Sequence, residues 1–342
     1  MNKTAARLMM TAGLLLSQIG GASADAVADF YKGRNVFLQV GSTPGGIYDI
    51  VGRMVSRYIG KYIPGEPKIV VQNVPGGGSL QLANQFGAIT ARDGTVFGVF
   101  NNGMPTTPLT DPEAGKFDPR KFRYIGSTNR EAHLLIVWNN SPVQTYDELF
   151  TKELIVGATS PGAAPYDFPL LTNTLIGTKF KIVKGYQGGP ETQLAMRRGE
   201  INANAGVALA SYTTDYADAI KNNEVKIVAA FGMKKHPALP DVPLLPTGKT
   251  DEERQLFELM YARQDYGRVF ATPPDVPDDR LAALRAAFVA TMKDKEFLAE
   301  GARSQIDFDP VSGEELTQLT RKLYETPQSV ITRMRAVMSS AK

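Results

Sequence analysis

Cysteine is absent from the 342-residue chain. A chain without cysteine forms no disulfide, offers no thiolate as metal ligand or nucleophile, and cannot carry a lipid anchor on cysteine after export. Histidine is almost as rare, since only His133 and His236 occur. Serine hydrolases need a base that is usually histidine, so only these two residues are candidates for that role.

A large excess of charge of one sign is also missing. The formal net charge is +3 for the whole chain, and it falls to +1 once Lys3 and Arg7 leave with the N-terminal segment described below. This balance gives no electrostatic reason to expect nucleic acid as a partner. The acidic neighbours Asp111/Glu113 and Asp278/Asp279 are typical of turns and helix starts, so we expect no metal site.

The usual motifs of enzymes and cofactor sites are missing too. No G-x-S-x-G nucleophile elbow occurs. His133 flanks a predicted strand and His236 lies in a proline-rich connection, where a structural or exposed histidine is more common than a catalytic one. The run Gly77-Gly78-Ser79 lacks the lysine of a P-loop, and Gly41 to Gly46 does not fit a dinucleotide-binding G-x-G-x-x-G. We therefore expect no cofactor.

No apolar run is long enough to span a membrane. The first ten residues carry Lys3 and Arg7 and no acid, and Thr11–Ile19 is mostly apolar but short. Ala22-Ser23-Ala24 has the small residues of a signal-peptidase site. These features predict a signal peptide at residues 1–24, cleavage after Ala24, and an exported protein that is periplasmic or secreted.

What the sequence does contain is a repeated unit of strand, glycine-rich loop and helix. Val36–Val40 is a short run of strand formers, Gly41 to Gly46 is rich in small residues, and a helical pattern starts at Ile50. Asp49 stands just before that pattern, where we expect it to be the N-cap. A loop of this kind directs backbone N–H groups and the positive end of the helix dipole at one point, which favours anions.

The unit recurs in both halves of the chain. Because the carboxyl ends of parallel strands meet at one sheet edge, the loops after them are expected to form a binding edge. A mature chain of 318 residues, which is 342 less the signal peptide, is long enough for two such domains. The predicted strands are Val36–Val40, Lys68–Asn73 and Thr95–Phe100 in the first half, then Leu154–Ala158, Lys179–Lys184 and Ile201–Ala205 in the second. We also predict a surface connection at Met104–Asp118 and a final strand at Arg303–Phe308.

An ordered set of motifs resembles the solute receptors of tripartite tricarboxylate transporters, known as the TctC or Bug family. The set covers essentially the whole mature chain. Its members here are Pro44-Gly45-Gly46-Ile47-Tyr48-Asp49, Asn73-Val74-Pro75-Gly76-Gly77-Gly78, Asp93-Gly94-Thr95, Ser160-Pro161-Gly162, Tyr186-Gln187-Gly188-Gly189 and Leu239-Pro240-Asp241-Val242-Pro243. Two stretches depart from the usual family pattern. Gly206 stands where an acidic residue is common, and Ala164-Pro165-Tyr166-Asp167 replaces a Ser-x-x-His pattern.

The resemblance implies an α/β fold of the two-lobed periplasmic binding-protein kind, type II-like, with two βαβαβ lobes and a ligand cleft and hinge between them. Lobe 1 would hold residues 25–131 and 235–342, and lobe 2 residues 132–234. The implied function is an extracytoplasmic receptor, expected to be a monomer, that captures a small carboxylate and delivers it to separate membrane permease subunits. The alternatives are a secreted hydrolase that uses the same cleft and, ranked lowest, an adhesion or scaffold module.

The predicted ligand-binding residues come from the loops of both lobes. Tyr48, Tyr166 and Tyr186 would donate hydroxyl hydrogen bonds or line the apolar part of a ligand. Arg130 would either pair with a second carboxylate of the ligand or be a solvated surface residue. The ligand is left open among dicarboxylates, tricarboxylates, aromatic acids and amino acids. The full set is Thr43, Pro44, Gly45, Gly46, Tyr48, Asp49, Pro75, Gly76, Gly77, Gly78, Ser79, Asn101, Asn102, Ser160, Pro161, Gly162, Ala163, Tyr166, Tyr186, Gly188, Gly189, Asn204 and Gly206.

Overall fold

A computed structural model describes residues 26–339. The predicted signal peptide and its cleavage site lie outside these residues. Eleven strands are present among them: β1 Asn35–Val40, β2 Lys68–Asn73, β3 Val96–Phe100, β4 Arg123–Ser127, β5 His133–Trp138, β6 Leu154–Ala158, β7 Phe180–Lys184, β8 Ala203–Ala208, β9 Val225–Phe231, β10 Val269–Thr272 and β11 Val311–Ser312.

Residues 26–31 are helical and precede the labelled helices. The labelled helices are α1 Ile47–Ile59, α2 Leu80–Ala88, α3 Thr107–Thr110, α4 Ala164–Ile176, α5 Gly189–Arg197, α6 Leu209–Asp215, α7 Ala217–Lys221, α8 Asp251–Tyr261, α9 Asp278–Met292, α10 Lys295–Arg303, α11 Gly313–Leu323 and α12 Gln328–Ser339. In the part of the chain that the structure describes, no helix has the length and apolar character needed to cross a membrane.

The strands form two sheets that share one plan. The first has the order β11-β4-β10-β3-β1-β2 and the second the order β7-β6-β8-β5-β9. Each contains three parallel strands, β2-β1-β3 and β7-β6-β8, in which the first strand of the unit lies in the middle. An antiparallel strand, β10 or β5, then pairs with the third. The predicted parallel units in both halves of the chain are therefore present.

Helices cover both faces of each sheet, so the central strands are rich in buried apolar residues. In the first sheet, α1, α9 and α10 share one hydrophobic cluster with β1 and β3, and α2 and α11 contribute to a cluster on the other face. In the second sheet, α4, α8 and α12 pack on one face, and α5 and α7 on the other. The predicted lobe boundaries stay predictions, but the later helices α8 and α12 pack with the second sheet.

Three details of the sequence prediction are wrong. The segment 104–118 is not a surface connection, because Met104, Thr106 and Thr107 are buried and a short helix forms there. Residues 303–308 contain no strand, since α10 runs to Arg303 and β11 begins only at Val311. Gly206 does not follow its strand but lies inside β8. There Leu134 pairs with Val207 and Leu135 with Ala205, so Gly206 is the extra residue of a β-bulge.

Candidate functional site

A cleft of about 370 Å³ opens at the carboxyl ends of the two parallel units. It has the size of a small-molecule site. Loops after β1, β2 and β3 form one wall, and loops after β6 and β7, together with β8 and α6, form the other. Seventeen of the predicted site residues line it: Thr43, Gly46, Tyr48, Pro75, Gly76, Gly77, Gly78, Ser79, Asn101, Asn102, Ser160, Ala163, Tyr186, Gly188, Gly189, Asn204 and Gly206.

Six predicted residues do not line this cleft: Pro44, Gly45, Asp49, Pro161, Gly162 and Tyr166. Pro44 and Gly45 are exposed at the tip of the loop after β1. Pro161 and Gly162 face a separate cavity of about 270 Å³ beside α3 and α12. Tyr166 is buried in α4 and packs with Ala158 and Leu170.

The predicted N-cap role of Asp49 is wrong. Helix α1 starts at Ile47 after Gly46, so Asp49 is the third residue of the helix. It is buried, and it accepts hydrogen bonds from Gly45 N at 2.9 Å, Asn73 Nδ2 at 2.8 Å and Arg53 Nε at 3.0 Å. Burial alone would raise the pKa of Asp49, but these hydrogen bonds outweigh it and lower the pKa below its usual value. The Asp49 carboxylate therefore stabilises the conformation of the loop after β1 without lining the cleft.

The loop before α2 presents backbone N–H groups to the cleft. Gly76, Gly77, Gly78 and Ser79 all have positive φ, between +56° and +144°. Among the described residues, no hydrogen bond from the N–H of Gly77, Gly78 or Ser79 is present. Ser79 fixes the loop, because its Oγ donates to Gly41 O at 2.9 Å and accepts from Asn101 N at 2.8 Å. With the positive end of the α2 dipole behind it, this loop is suited to bind a carboxylate.

The other long helices that start at the cleft already have an acid at their N-terminus. Gly45 N donates to Asp49 at α1, Gly162 N to Asp167 at α4, and Gln187 N to Glu191 at α5. The first turn of α2 contains no acid. Among helices of eight or more residues at the cleft, α2 is therefore the one whose N-terminus is left open for an anion from outside.

His133 lines the cleft, although the sequence favoured a structural role for it. Its Nε2 lies 3.2 Å from Asn102 Nδ2 and its Nδ1 lies 3.4 Å from Gln264 Nε2. Burial, helped by the nearby guanidinium groups of Arg263 and Arg268, lowers the pKa of His133 to about 3. The imidazole is therefore neutral at ordinary pH.

Two buried ion pairs lie behind the cleft. Arg263 Nη2 is 2.8 Å from Asp167 Oδ2, and Arg268 Nη2 is 3.0 Å from Glu131 Oε2. Since each guanidinium already faces a carboxylate, neither arginine is available as a free cation for a ligand. Arg130 is also engaged, because it faces Asp265, Asp309 and Glu315 on the surface. It does not line the cleft.

The second wall carries residues that the sequence did not single out. Ser211, Asp215 and Tyr216 come from α6 and the residue after it. Burial raises the pKa of Tyr216 to about 12, and burial likewise raises that of Tyr48 to about 12, so both hydroxyls keep their protons. A helix that turns its C-terminal end into a cleft leaves no signal in local sequence pattern, whereas glycine-rich loops do.

The two walls approach each other closely at the edges of the cleft. Gly78 approaches the second wall so closely that a Cβ on it would lie 3.7 Å from Ala163 Cβ. A Cβ on Gly188 would lie 3.6 Å from Thr43 Oγ1, and one on Gly103 would clash with Gly162 O. The cleft is therefore narrow, with residues of both walls facing the same space. In the described residues, no group of three or more His, Asp or Glu side chains is arranged to hold a metal ion.

The fold has clear counterparts among solved structures. BugD, a periplasmic binding protein, superimposes with a TM-score of 0.67 at 18% identity, over 91% of this chain and 98% of that one. MatC from Rhodopseudomonas palustris with bound malate gives 0.66 at 18% identity over 89% and 99%. A second R. palustris protein, with adipate, gives 0.67 at 18% identity over 90% and 97%. The two-lobed α/β fold that we predict is confirmed.

A curated protein is similar in sequence as well. The UPF0065 protein in the gbd 5′ region of Cupriavidus necator is 26% identical over 251 residues, which are 70% of this chain and 72% of that protein. The resemblance to the TctC and Bug proteins is confirmed. No protein-family model matches the chain.

Proposed function

We propose that this protein is an extracytoplasmic solute-binding receptor of the TctC/Bug type that captures a small organic acid between two lobes. The observation that carries the proposal is the open N-terminus of α2. Its Gly76–Ser79 loop presents unpaired N–H groups to a cleft in which no lysine or arginine is found among the described lining residues. Backbone donors at a helix N-terminus can bind a carboxylate without a counter-charge on a side chain.

The cleft geometry supports capture rather than turnover. His133 is neutral and faces two amides, so it has no carboxylate orienter of the kind that a catalytic base uses. The malate and adipate complexes of proteins with the same fold agree with a carboxylate ligand. We extend the proposal to export after cleavage at Ala24, to a monomeric receptor, and to delivery to permease subunits of a tripartite tricarboxylate-type transporter.

The packing of the later helices bears on where the lobes divide. Because α8 and α12 share the core of the second sheet, we propose that they belong to the second lobe. The chain would then cross between lobes at 128–132 and again at 262–268. Arg268 and Glu131 pair across these two segments.

A thermal-shift screen of organic acids against the mature protein tests the function. A ligand that binds only the folded state raises the melting temperature. Each hit is then titrated by calorimetry, with chromatography of the mixture after incubation. Stoichiometric binding with the acid recovered unchanged supports a receptor, and product formed at catalytic protein concentrations supports the hydrolase instead. No shift with any acid would contradict the proposal.

A further inference from the structure

The second wall of the cleft carries a carboxylate, Asp215, for which no ion pair is present in the described part of the chain. Asp215 is the only acidic residue among the described residues that line the cleft, and no lysine, arginine or other acid accompanies it there. Its Oδ1 accepts from Thr214 Oγ1 at 3.1 Å, and Ser211 also donates to the carboxylate. Burial outweighs these hydroxyl groups and the more distant charge of Arg268 and raises the pKa of Asp215, so the negative charge of this half-buried carboxylate is only partly compensated.

A buried hydrogen-bond acceptor on the same wall, Asn204, also lacks a partner. Asn204 is 4% exposed, and its Oδ1 has no hydrogen-bond partner among the described residues. The orientation of this amide follows from its neighbours. Thr192 Oγ1 uses its one proton on Gly189 O at 2.8 Å, so it must accept from Asn204 Nδ2 at 2.9 Å. The carbonyl oxygen of Asn204 is therefore the amide atom left without a partner, and it lies beneath the surface of the cleft.

Asp215 and Asn204 both lie against the first turn of α5. Asp215 Oδ2 is 3.2 Å from the position that a Cβ on Gly189 would occupy, and Asn204 is bonded to Thr192 one turn into α5. The opposite wall, by contrast, offers the N–H groups of Gly77, Gly78 and Ser79. The first wall thus offers unpaired backbone donors, and the second carries the one acidic side chain among the described residues that line the cleft.

A ligand with two carboxylates would place its second negative charge against Asp215. Like charges in a water-poor cleft repel strongly, and Asn204 Oδ1 would stay without a donor. A ligand with an ammonium group solves both problems, since the group has three N–H donors and a positive charge. One such group can satisfy Asp215 and Asn204 together.

We propose that Asp215 and Asn204 form an ammonium-binding subsite, and that the ligand of this receptor is an amino acid or another zwitterion with a carboxylate and an amine. This inference rests on the proposed function. The carboxylate lies at the α2 N-terminus and the amine at the second wall. Asp215 is then the residue that selects amino-bearing acids over their deaminated counterparts.

Matched pairs of probes test the assignment at pH 7 by calorimetry. Each amino acid is compared with the acid that lacks only the amine: L-aspartate with succinate, L-glutamate with glutarate, and L-phenylalanine with 3-phenylpropanoate. We expect at least one amino member to bind tenfold or more tightly than its partner. Equal or tighter binding of the deaminated members overturns the ammonium subsite and leaves the receptor proposal intact. Binding by neither member of any pair counts against both.

Two variants then separate the charge from the fold. Asp215→Asn keeps the size of the side chain and removes its charge, so affinity for the amino member should fall at least tenfold, while affinity for the deaminated partner is unchanged or higher. Asp218→Asn, at an exposed position on α7, is the matched control and should bind like the wild type. An Asp215→Asn protein that is folded by circular dichroism and keeps wild-type selectivity overturns the proposal.

Discussion

Acidification should destabilise this protein through a single histidine. His133 is 3% exposed and its pKa is lowered to about 3, first by burial and then by Arg263 and Arg268. In the unfolded chain the same imidazole has an ordinary pKa of about 6.5. Below that pH the unfolded state binds a proton at His133 and the folded state does not, so the free energy of unfolding falls as the pH falls. The contribution is fully present above about pH 6.5 and is lost progressively toward pH 3.

The size of the effect follows from the two pKa values. Between pH 7 and pH 5 the unfolded state gains about 2 kcal/mol from protonation of this one residue. The figure depends mainly on the unfolded-state pKa, because the folded-state value lies well below pH 5. A loss of about 2 kcal/mol is a large part of the stability of a typical domain, which is about 5–15 kcal/mol.

The chain offers a matched control, since His236 is the only other histidine. Urea unfolding at pH 7 and pH 5 is measured for the wild type, His133→Gln and His236→Gln. We expect the pH-dependent loss to shrink by about 2 kcal/mol in His133→Gln and to persist in His236→Gln. In the proton NMR spectrum of the folded protein, His236→Gln also identifies the ring signal of His133.

Two results would refute the reasoning. One is a His133→Gln protein whose unfolding free energy falls with acidification as much as that of the wild type. The other needs no variant at residue 133: a ring signal of His133 that titrates between pH 7 and pH 5 in the folded protein would show that the imidazole accepts the proton there. The cleft would then carry a positive charge that the described geometry does not accommodate.

Three further predictions concern the loop, the ion pair and closure. Gly77→Val and Gly33→Val both place a β-branched residue at positive φ, +56° and +70°, and each should cost about 1–2 kcal/mol of stability. Only Gly77→Val should weaken ligand binding tenfold, and equal affinity of the two variants in calorimetry would show that the α2 loop is only a turn. Arg263→Met should cost about 3–5 kcal/mol in urea unfolding because it leaves Asp167 buried and unpaired; adding Asp167→Leu should recover most of this, and no recovery would mean that the cost comes from lost packing. Small-angle X-ray scattering should give a smaller radius of gyration with saturating ligand, and an unchanged radius at confirmed occupancy contradicts hinge closure.

The parallel units could be predicted from sequence because their signals are local. Short apolar runs such as Leu154–Ala158 end in glycine-containing loops, and a strand that is covered on both faces has to be apolar. The same reasoning placed most of the cleft-lining loops correctly, since loops after parallel strands must meet at one edge. At Gly46, by contrast, φ is −77°, a value that is open to any residue. The strain that we expect at Gly77 does not apply there.

The second wall could not be predicted because it depends on packing between distant segments. The bulge at Gly206 arises from the pairing of β8 with β5, and its φ of +85° follows from that pairing. A Cβ at this position would also lie 2.7 Å from the backbone of Ala164, which no local pattern reveals. Asp215 enters the cleft because α6 starts directly after β8, only a few residues beyond the bulge.

The sequence also contains the feature that distinguishes α1, α4 and α5 from α2, an acidic residue in the first turn. Loops before several helices were treated as equivalent anion sites, yet Asp49, Asp167 and Glu191 each fall within the first four residues of their helix. An acid at that position accepts the N–H of a residue four or five places earlier and neutralises the helix N-terminus itself. Such a helix N-terminus has fewer free N–H groups and less positive potential with which to bind an external anion. The α2 loop, whose helix opens with Leu80-Gln81-Leu82, lacks this internal carboxylate. A search for acids in the first turn therefore separates loops that only begin a helix from those that can hold a ligand, and here it leaves α2.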